Sequence, residues 1–202
     1  FTLSQDSIAT RIDHDIALVV DRSGSMAWDL SNTPYSYPGD LANRSTIQNY
    51  FLPPHSTLSR WAALKVAANT FFSVLQDNSP ANYVPHVALV SYSSNFTFGL
   101  YTSKVASTDQ SLTDNYTTLR NKLTAIGNQP VIGNTNIAAG LREGITALTS
   151  EAASRPNAFR SVVLLTDGVM TQGDDPVALA AVALSQNITV HTITFSQQAD
   201  QS

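Results

Sequence analysis

The chain has 202 residues, 43% hydrophobic and 13% charged, which is ample apolar content for one sizeable core at about half the usual charged fraction. Fifteen acids against eleven bases give a net charge of −4, which argues against a nucleic-acid binder or a polybasic membrane-surface protein, both of which need a basic stripe. The absence of cysteine excludes disulfides, thiolate metal sites and cysteine nucleophiles, and leaves the compartment open because a large core does not need staples.

In chain order, the first element is the run Asp-Ile-Ala-Leu-Val-Val-Asp at 15–21, apolar between two carboxylates, as expected of a strand buried on both faces of a parallel sheet. This run and Val162 to Leu165 are the longest apolar stretches, far short of the roughly 20 residues that span a bilayer, so no transmembrane segment is expected. There is no charged n-region of a secretory signal either, and a start at Phe1 rather than Met points to a fragment. Residues 27–57 then break the rhythm. They carry four prolines and the aromatics Trp28, Tyr35, Tyr37, Tyr50 and Phe51 with no sustained period, and read as an ordered insertion.

Helical spacing resumes at about Leu58, with Trp61, Leu64, Ala68, Phe71, Phe72 and Leu75 on one stripe. His86 to Tyr92 and Phe96 to Tyr101 read as two strands joined by Ser93-Ser94-Asn95 in an antiparallel hairpin. A second helix is expected behind Thr113 as N-cap, carrying Tyr116, Leu119, Leu123 and Ile126 and stopped by Gly127. A third follows Asn136, with Ile137, Leu141, Ile145 and Leu148. After the buried run at 162–166, Asp174-Asp175-Pro176 opens a fourth helix, where acid and proline suit the unpaired amides of a first turn. Ile188 to Phe195 is the last strand. Alternating strands and amphipathic helices predict one α/β domain over 1–202, Rossmann-like and doubly wound, with a mostly parallel central sheet, one antiparallel edge strand and helices on both faces.

Chemistry concentrates at strand ends. Asp21-Arg22-Ser23-Gly24-Ser25 follows the first buried strand directly, at the sheet edge where ligands of open α/β sheets bind. One carboxylate and two hydroxyls at alternate positions aim hard oxygens at one point, which suits Mg²⁺ or Mn²⁺ rather than zinc. A divalent ion wants a second acid, and Asp167 arrives in the same way, on a buried strand that ends in aspartate and then glycine. Thr135, in the turn Gly133-Asn134-Thr135-Asn136, is the third contributor.

The motifs DRSGSM at 21–26, GNTNIAAGL at 133–141 and LLTDG at 164–168, in that order and spacing, resemble the von Willebrand factor A-type domain with its metal-ion-dependent adhesion site. The element order agrees from about residue 13 to residue 196. The resemblance implies that Ser23, Ser25 and Thr135 coordinate Mg²⁺, or alternatively Mn²⁺ or Ca²⁺, directly. Asp21 and Asp167 would act directly or through water, and an acidic group of a partner protein would complete the shell. The wording is most similar to the A-type domains of bacterial tight-adherence pilus-assembly proteins, which implies an extracytoplasmic module, membrane-anchored in the full-length protein. Two departures stand out: the 27–57 insertion delays the first helix, and the chain ends at Ser202, where the family has another helix and strand.

Two other classes compete. A cytoplasmic A-type scaffold in a cation-dependent complex would use the same site. A Mg²⁺-dependent phosphoryl-transfer enzyme would use Asp21 as nucleophile, but dehalogenase-like chemistry wants a second aspartate where Ser23 stands. No serine elbow, Walker or dinucleotide glycine pattern is present, so no catalytic residue is expected. His14, His55, His86 and His191 lack metal-ligand spacing, and Asp174 and Asp175 read as capping residues. The four Asn-x-Ser/Thr patterns, at Asn43, Asn95, Asn115 and Asn187, are expected by chance in so polar a chain.

Overall fold

The structure, a computed structural model, describes residues 13–31, 52–79, 83–150, 155, 157–168 and 170–195. In chain order these form β1 (His14–Asp21), a 3₁₀ turn (Gly24–Ala27), α1 (Arg60–Asp77), β2 (His86–Tyr92), β3 (Phe96–Phe98), β4 (Tyr101–Ser103) and β5 (Ala106–Thr113). They continue with α2 (Tyr116–Gly127), α3 (Ile137–Thr149), β6 (Phe159–Thr166), α4 (Pro176–Ser185) and β7 (Ile188–Thr194). Five strands make the main sheet in the order β5-β2-β1-β6-β7. β1 runs parallel to β2 and β6, and β6 parallel to β7, while β5 is antiparallel to β2. This is the doubly wound arrangement expected from the alternation of apolar runs and helical stripes.

The central place of β1 explains its unbroken apolar run, since both of its faces are covered. Ile16, Leu18 and Val20 enter one core with Trp61, Leu64, Ala68 and Phe72 of α1 and Leu119 and Leu123 of α2. Ala17 and Val19 enter the other, with Leu141, Ile145 and Leu148 of α3 and Ala183 of α4. α3 lies so close to the sheet that a Cβ at Gly140 would come within 2.6 Å of the Tyr92 ring, so close approach requires glycine there.

Local capping chemistry sets the helix starts. Ser59 caps α1 by accepting from the Ala62 N–H, Asn136 caps α3 from Ala139, and Asp175 caps α4 from Val177 with Pro176 in the first turn. α2 is capped by Asn115 rather than Thr113. The Asn115 side chain accepts from the Thr118 N–H, while the Thr113 hydroxyl accepts from Asn115 itself, and Gly127 is the last helical residue rather than the one after it.

The expected hairpin is corrected. β3 pairs with β4 in a separate two-stranded sheet, and the antiparallel neighbour of β2 is β5. β5 reads Ala-Ser-Thr-Asp-Gln-Ser-Leu-Thr, almost without apolar alternation, which an edge strand with register irregularities tolerates. Of the 27–57 stretch, Tyr35, Tyr37, Tyr50 and Phe51 lie outside the described residues, as does Asn43. The two stems of the stretch meet: Asp29 bridges Ser59, and the Arg60 N–H donates to the Trp28 carbonyl at 2.9 Å.

Candidate metal centre

Three loops converge at the carboxyl edge of the sheet. The turn after β1 brings Asp21, Ser23 and Ser25, the loop before α3 brings Thr135, and the end of β6 brings Asp167. Four of these side chains belong to one hydrogen-bonded chain. Thr135 Oγ1 donates to Ser23 Oγ at 3.2 Å, Ser23 Oγ lies 3.1 Å from Ser25 Oγ, and Ser25 Oγ donates to Asp167 Oδ1 at 3.0 Å. Ser25 is half-buried, and the other four of the five are buried.

Asp21 stands behind this chain. Its Oδ1 accepts the Ser23 N–H at 2.8 Å, and its Oδ2 accepts the Thr166 hydroxyl at 2.9 Å and the Tyr92 phenol at 3.2 Å. Burial, then the charge of Asp167, push its carboxyl up to about 7, against the opposing pull of the Ser23 and Thr166 donors. Burial and the neighbouring Asp21 charge raise the Tyr92 phenol well above its usual value, so it remains a donor. Among the described residues Asp21 has no basic partner within salt-bridge distance.

The loops are locked to one another through their backbones. Gly24 N–H donates to the Gly133 carbonyl at 2.9 Å. Gly133 has φ +100°, and a Cβ there would collide with the hydroxyls of Ser93 and Ser94, so this turn needs glycine for two reasons. Ser93 Oγ donates to the Ile132 carbonyl, and Ser94 Oγ accepts from the Asn134 N–H at 2.8 Å. Thr135 is clasped by the segment after β6: its N–H donates to Thr171 Oγ1 at 3.0 Å, and its carbonyl accepts from the Thr171 and Gln172 amides.

Several of these residues escaped the sequence reading. Ser93 and Ser94 were expected in a hairpin turn and instead buttress the loop before α3. Arg60 Nη1 donates to Asp167 Oδ2 at 2.7 Å, with the two side chains 3% and 0% exposed, and its guanidinium lies 5.3 Å from the Trp28 ring centroid. A signal for Arg60 existed: a cation at the first position of a helix opposes the dipole, a broken local rule that marks a residue held by something else.

The other candidates lie apart. His14 Nε2 is 3.2 Å from Ser161 Oγ, and His55 Nδ1 accepts from the Leu58 N–H. Asp174 pairs with Arg142 at the surface, and Asp175 caps α4. Among the described residues no three His, Asp or Glu side chains gather. The donor set at the carboxyl edge is thus entirely oxygen, three hydroxyls and two carboxylates, which fits a hard divalent cation. Asp167 is paired with Arg60, but the buried Asp21 has only neutral donors, which gives such a cation a reason to bind.

A doubly wound sheet whose carboxyl edge gathers hydroxyls and carboxylates from three loops defines a particular class of α/β domain. Residues 15–202 match the von Willebrand factor type A domain, and the chain belongs to that family. No curated protein matches the sequence. Among solved structures, the chain is similar to the pilus adhesin SpaC from Lactobacillus rhamnosus GG, with TM-score 0.62 and 18% identity, over 91% of this chain and 25% of that one. It is also similar to the PilB minor pilin from Streptococcus sanguinis, with TM-score 0.54 and 24% identity over 81% of this chain and 32% of the pilin. A third is proximal thread matrix protein 1 from the mussel byssus with a zinc-occupied MIDAS motif. There the TM-score is 0.55 and the identity 15%, covering 91% of this chain and 38% of that one. The chain therefore spans about a third or less of the pilus proteins it resembles.

Proposed function

We propose that this chain is a divalent-cation-dependent protein-binding module of adhesion or pilus assembly, acting outside the cytoplasm, with Asp21, Ser23, Ser25, Thr135 and Asp167 as its metal site. The observation that carries the reading is the hydrogen-bonded run from Thr135 through Ser23 and Ser25 to Asp167, assembled from three separate loops. An all-oxygen set favours Mg²⁺, with Mn²⁺ or Ca²⁺ as alternatives; zinc, present in the mussel protein, is better served by nitrogen and sulfur ligands. When bound, the cation supplies a positive charge with an open position that a partner's carboxylate oxygen completes. The chain's own residues do the rest. Ser23, Ser25 and Thr135 offer hydroxyl oxygens, and Asp21, engaged on both oxygens, contributes charge and fixes the Ser23 amide. Arg60 holds Asp167 in place.

The pilus-related structures support an envelope location over a cytoplasmic scaffold. No helix among the described residues is long and apolar enough to cross a membrane. Phosphoryl transfer is disfavoured, because Asp21 is fully buried behind the hydroxyl chain and both of its oxygens already accept hydrogen bonds. We read 1–202 as a single domain, with 27–57 as an excursion beside the metal site. Calorimetric titration of Mg²⁺ into EDTA-treated protein tests the first step: a saturable heat is expected, lost in Asp21→Ala. Equal heats from both proteins would sink the reading.

A further inference from the structure

The candidate metal centre holds a positive charge of its own. Arg60 is 3% exposed, and its Nη1 donates to Asp167 Oδ2 at 2.7 Å. The other oxygen of that carboxylate accepts from Ser25 Oγ at 3.0 Å, so a single carboxylate separates a fixed cation from the hydroxyl chain. Arg60 Nε donates to the Asp29 carbonyl at 3.2 Å and the guanidinium lies over the Trp28 ring, which fixes the charge in place. The helix gains nothing from it, because Ser59 already caps α1 and a cation in the first turn opposes the dipole. A divalent ion at the hydroxyl chain is repelled by it. For cation affinity alone, neutral donors of the kind that surround Asp21 would serve Asp167 better.

The charge balance gives the guanidinium a different use. Among the described residues, two buried carboxylates and Arg60 leave the site one negative charge in excess. A divalent cation turns this into one positive charge in excess, and one carboxylate from a partner restores neutrality. Without Arg60 the loaded site would already be neutral, and the partner's carboxylate would bring an uncompensated charge to a largely buried place. Arg22, next to Asp21 in the chain, does not take this part, because its Nη2 donates to the Lys104 carbonyl and the Asp109 charge acts on it. Resting on the metal-site reading above, we infer that Arg60 is a specificity-determining residue, which weakens the hold on the cation and strengthens the loaded site's hold on a carboxylate.

The test measures two affinities on the intact chain. Mn²⁺ binding is read from the EPR signal of the free ion, and carboxylate binding from the fall in water proton relaxation as acetate displaces water from the Mn²⁺-loaded protein. In Arg60→Gln, Mn²⁺ is expected to bind about tenfold tighter and acetate about tenfold weaker, the scale of one unit charge close to a partly buried site. Arg60→Lys keeps the charge and is expected to stay within about threefold of the parent in both. Should Arg60→Gln be unfolded in EDTA, saturating Mn²⁺ is expected to restore the fold, because the cation then takes over as the counter-charge of Asp167. A parent protein that binds no Mn²⁺ overturns the metal-site reading and this proposal together. Where the parent binds Mn²⁺, this proposal alone is overturned if the two affinities of Arg60→Gln move in the same direction or not at all, as for a residue that only clamps the stems of the excursion. It is overturned as well if acetate displaces no water from the loaded parent, if Arg60→Lys behaves like Arg60→Gln, or if Mn²⁺ fails to restore the fold.

Discussion

β1 carries an aspartate near each end, and the two make an internal control. Asp15 and Asp21 are both 0% exposed, six positions apart on one strand. Asp15, at the amino end, is met by Arg155, whose Nη2 lies 2.6 Å and Nε 2.8 Å from its Oδ1. Asp21, at the carboxyl end, is met by hydroxyls, one amide and a second carboxylate nearby. A buried charge needs compensation wherever it is. At the amino end the fold gives Asp15 its own cation; at the carboxyl end the buried cation, Arg60, pairs with Asp167, and Asp21 is left with neutral donors only. Burial of an acid alone therefore does not distinguish the two ends of β1; the missing counter-charge of Asp21 does.

This contrast can be broken deliberately. The largest effect is expected from Arg155→Met, which leaves Asp15 buried and unpaired and should cost about 3–5 kcal/mol of unfolding free energy in urea titrations. Next comes the same substitution at the two ends. Asp15→Asn is expected to destabilise equally with and without Mg²⁺. Asp21→Asn should change the EDTA-treated protein less and abolish the cation-induced rise in Tm, which for the parent protein corresponds to about 2.7 kcal/mol at a hundredfold excess over Kd. If Asp21→Asn still gains from Mg²⁺, the two ends do not differ in kind.

The pH dependence sharpens the comparison further. The carboxyl of Asp21 titrates at about 7 in the fold against 3.8 unfolded, so the folded state holds the extra proton between those values. Its contribution to stability is fully present below the unfolded value and is lost as pH rises through about 7. In EDTA, urea midpoints should fall across that window, and Mg²⁺ should flatten the fall by taking the place of the proton. The smallest effect is Tyr92→Phe, which removes one donor from Asp21 at about 1 kcal/mol and leaves the hydroxyl chain intact.

Much of this arrangement was readable from the chain because it rests on local markers. A buried strand that ends in aspartate and glycine, alternating hydroxyls, and Asn136 or Asp175 ahead of a helical stripe are each dictated by the residues beside them. The convergence of Asp21, Ser23, Ser25, Thr135 and Asp167 follows from placing those markers at strand ends of one sheet. What stayed hidden depends on pairings remote in sequence. Arg60 reaches Asp167 across 107 positions, and Ser93 and Ser94 support a turn some forty residues away. β5 was invisible for a different reason: its polar sequence has no period of its own, and its strand character comes from pairing with β2.

The bridge between Asp29 and Ser59 has a consequence for how such a domain diversifies. With Asp29 bridged to Ser59, and Arg60 tied to both the Asp29 carbonyl and Asp167, the two described stems are held together at one fixed point. Closing a loop on a fixed stem becomes only about 0.6 kcal/mol less favourable for each doubling of its length. A change of length between the stems is therefore expected to shift stability little, while the stems stay clamped on the rim of the three converging loops. The geometry allows recognition to change by cassette while the scaffold stays constant.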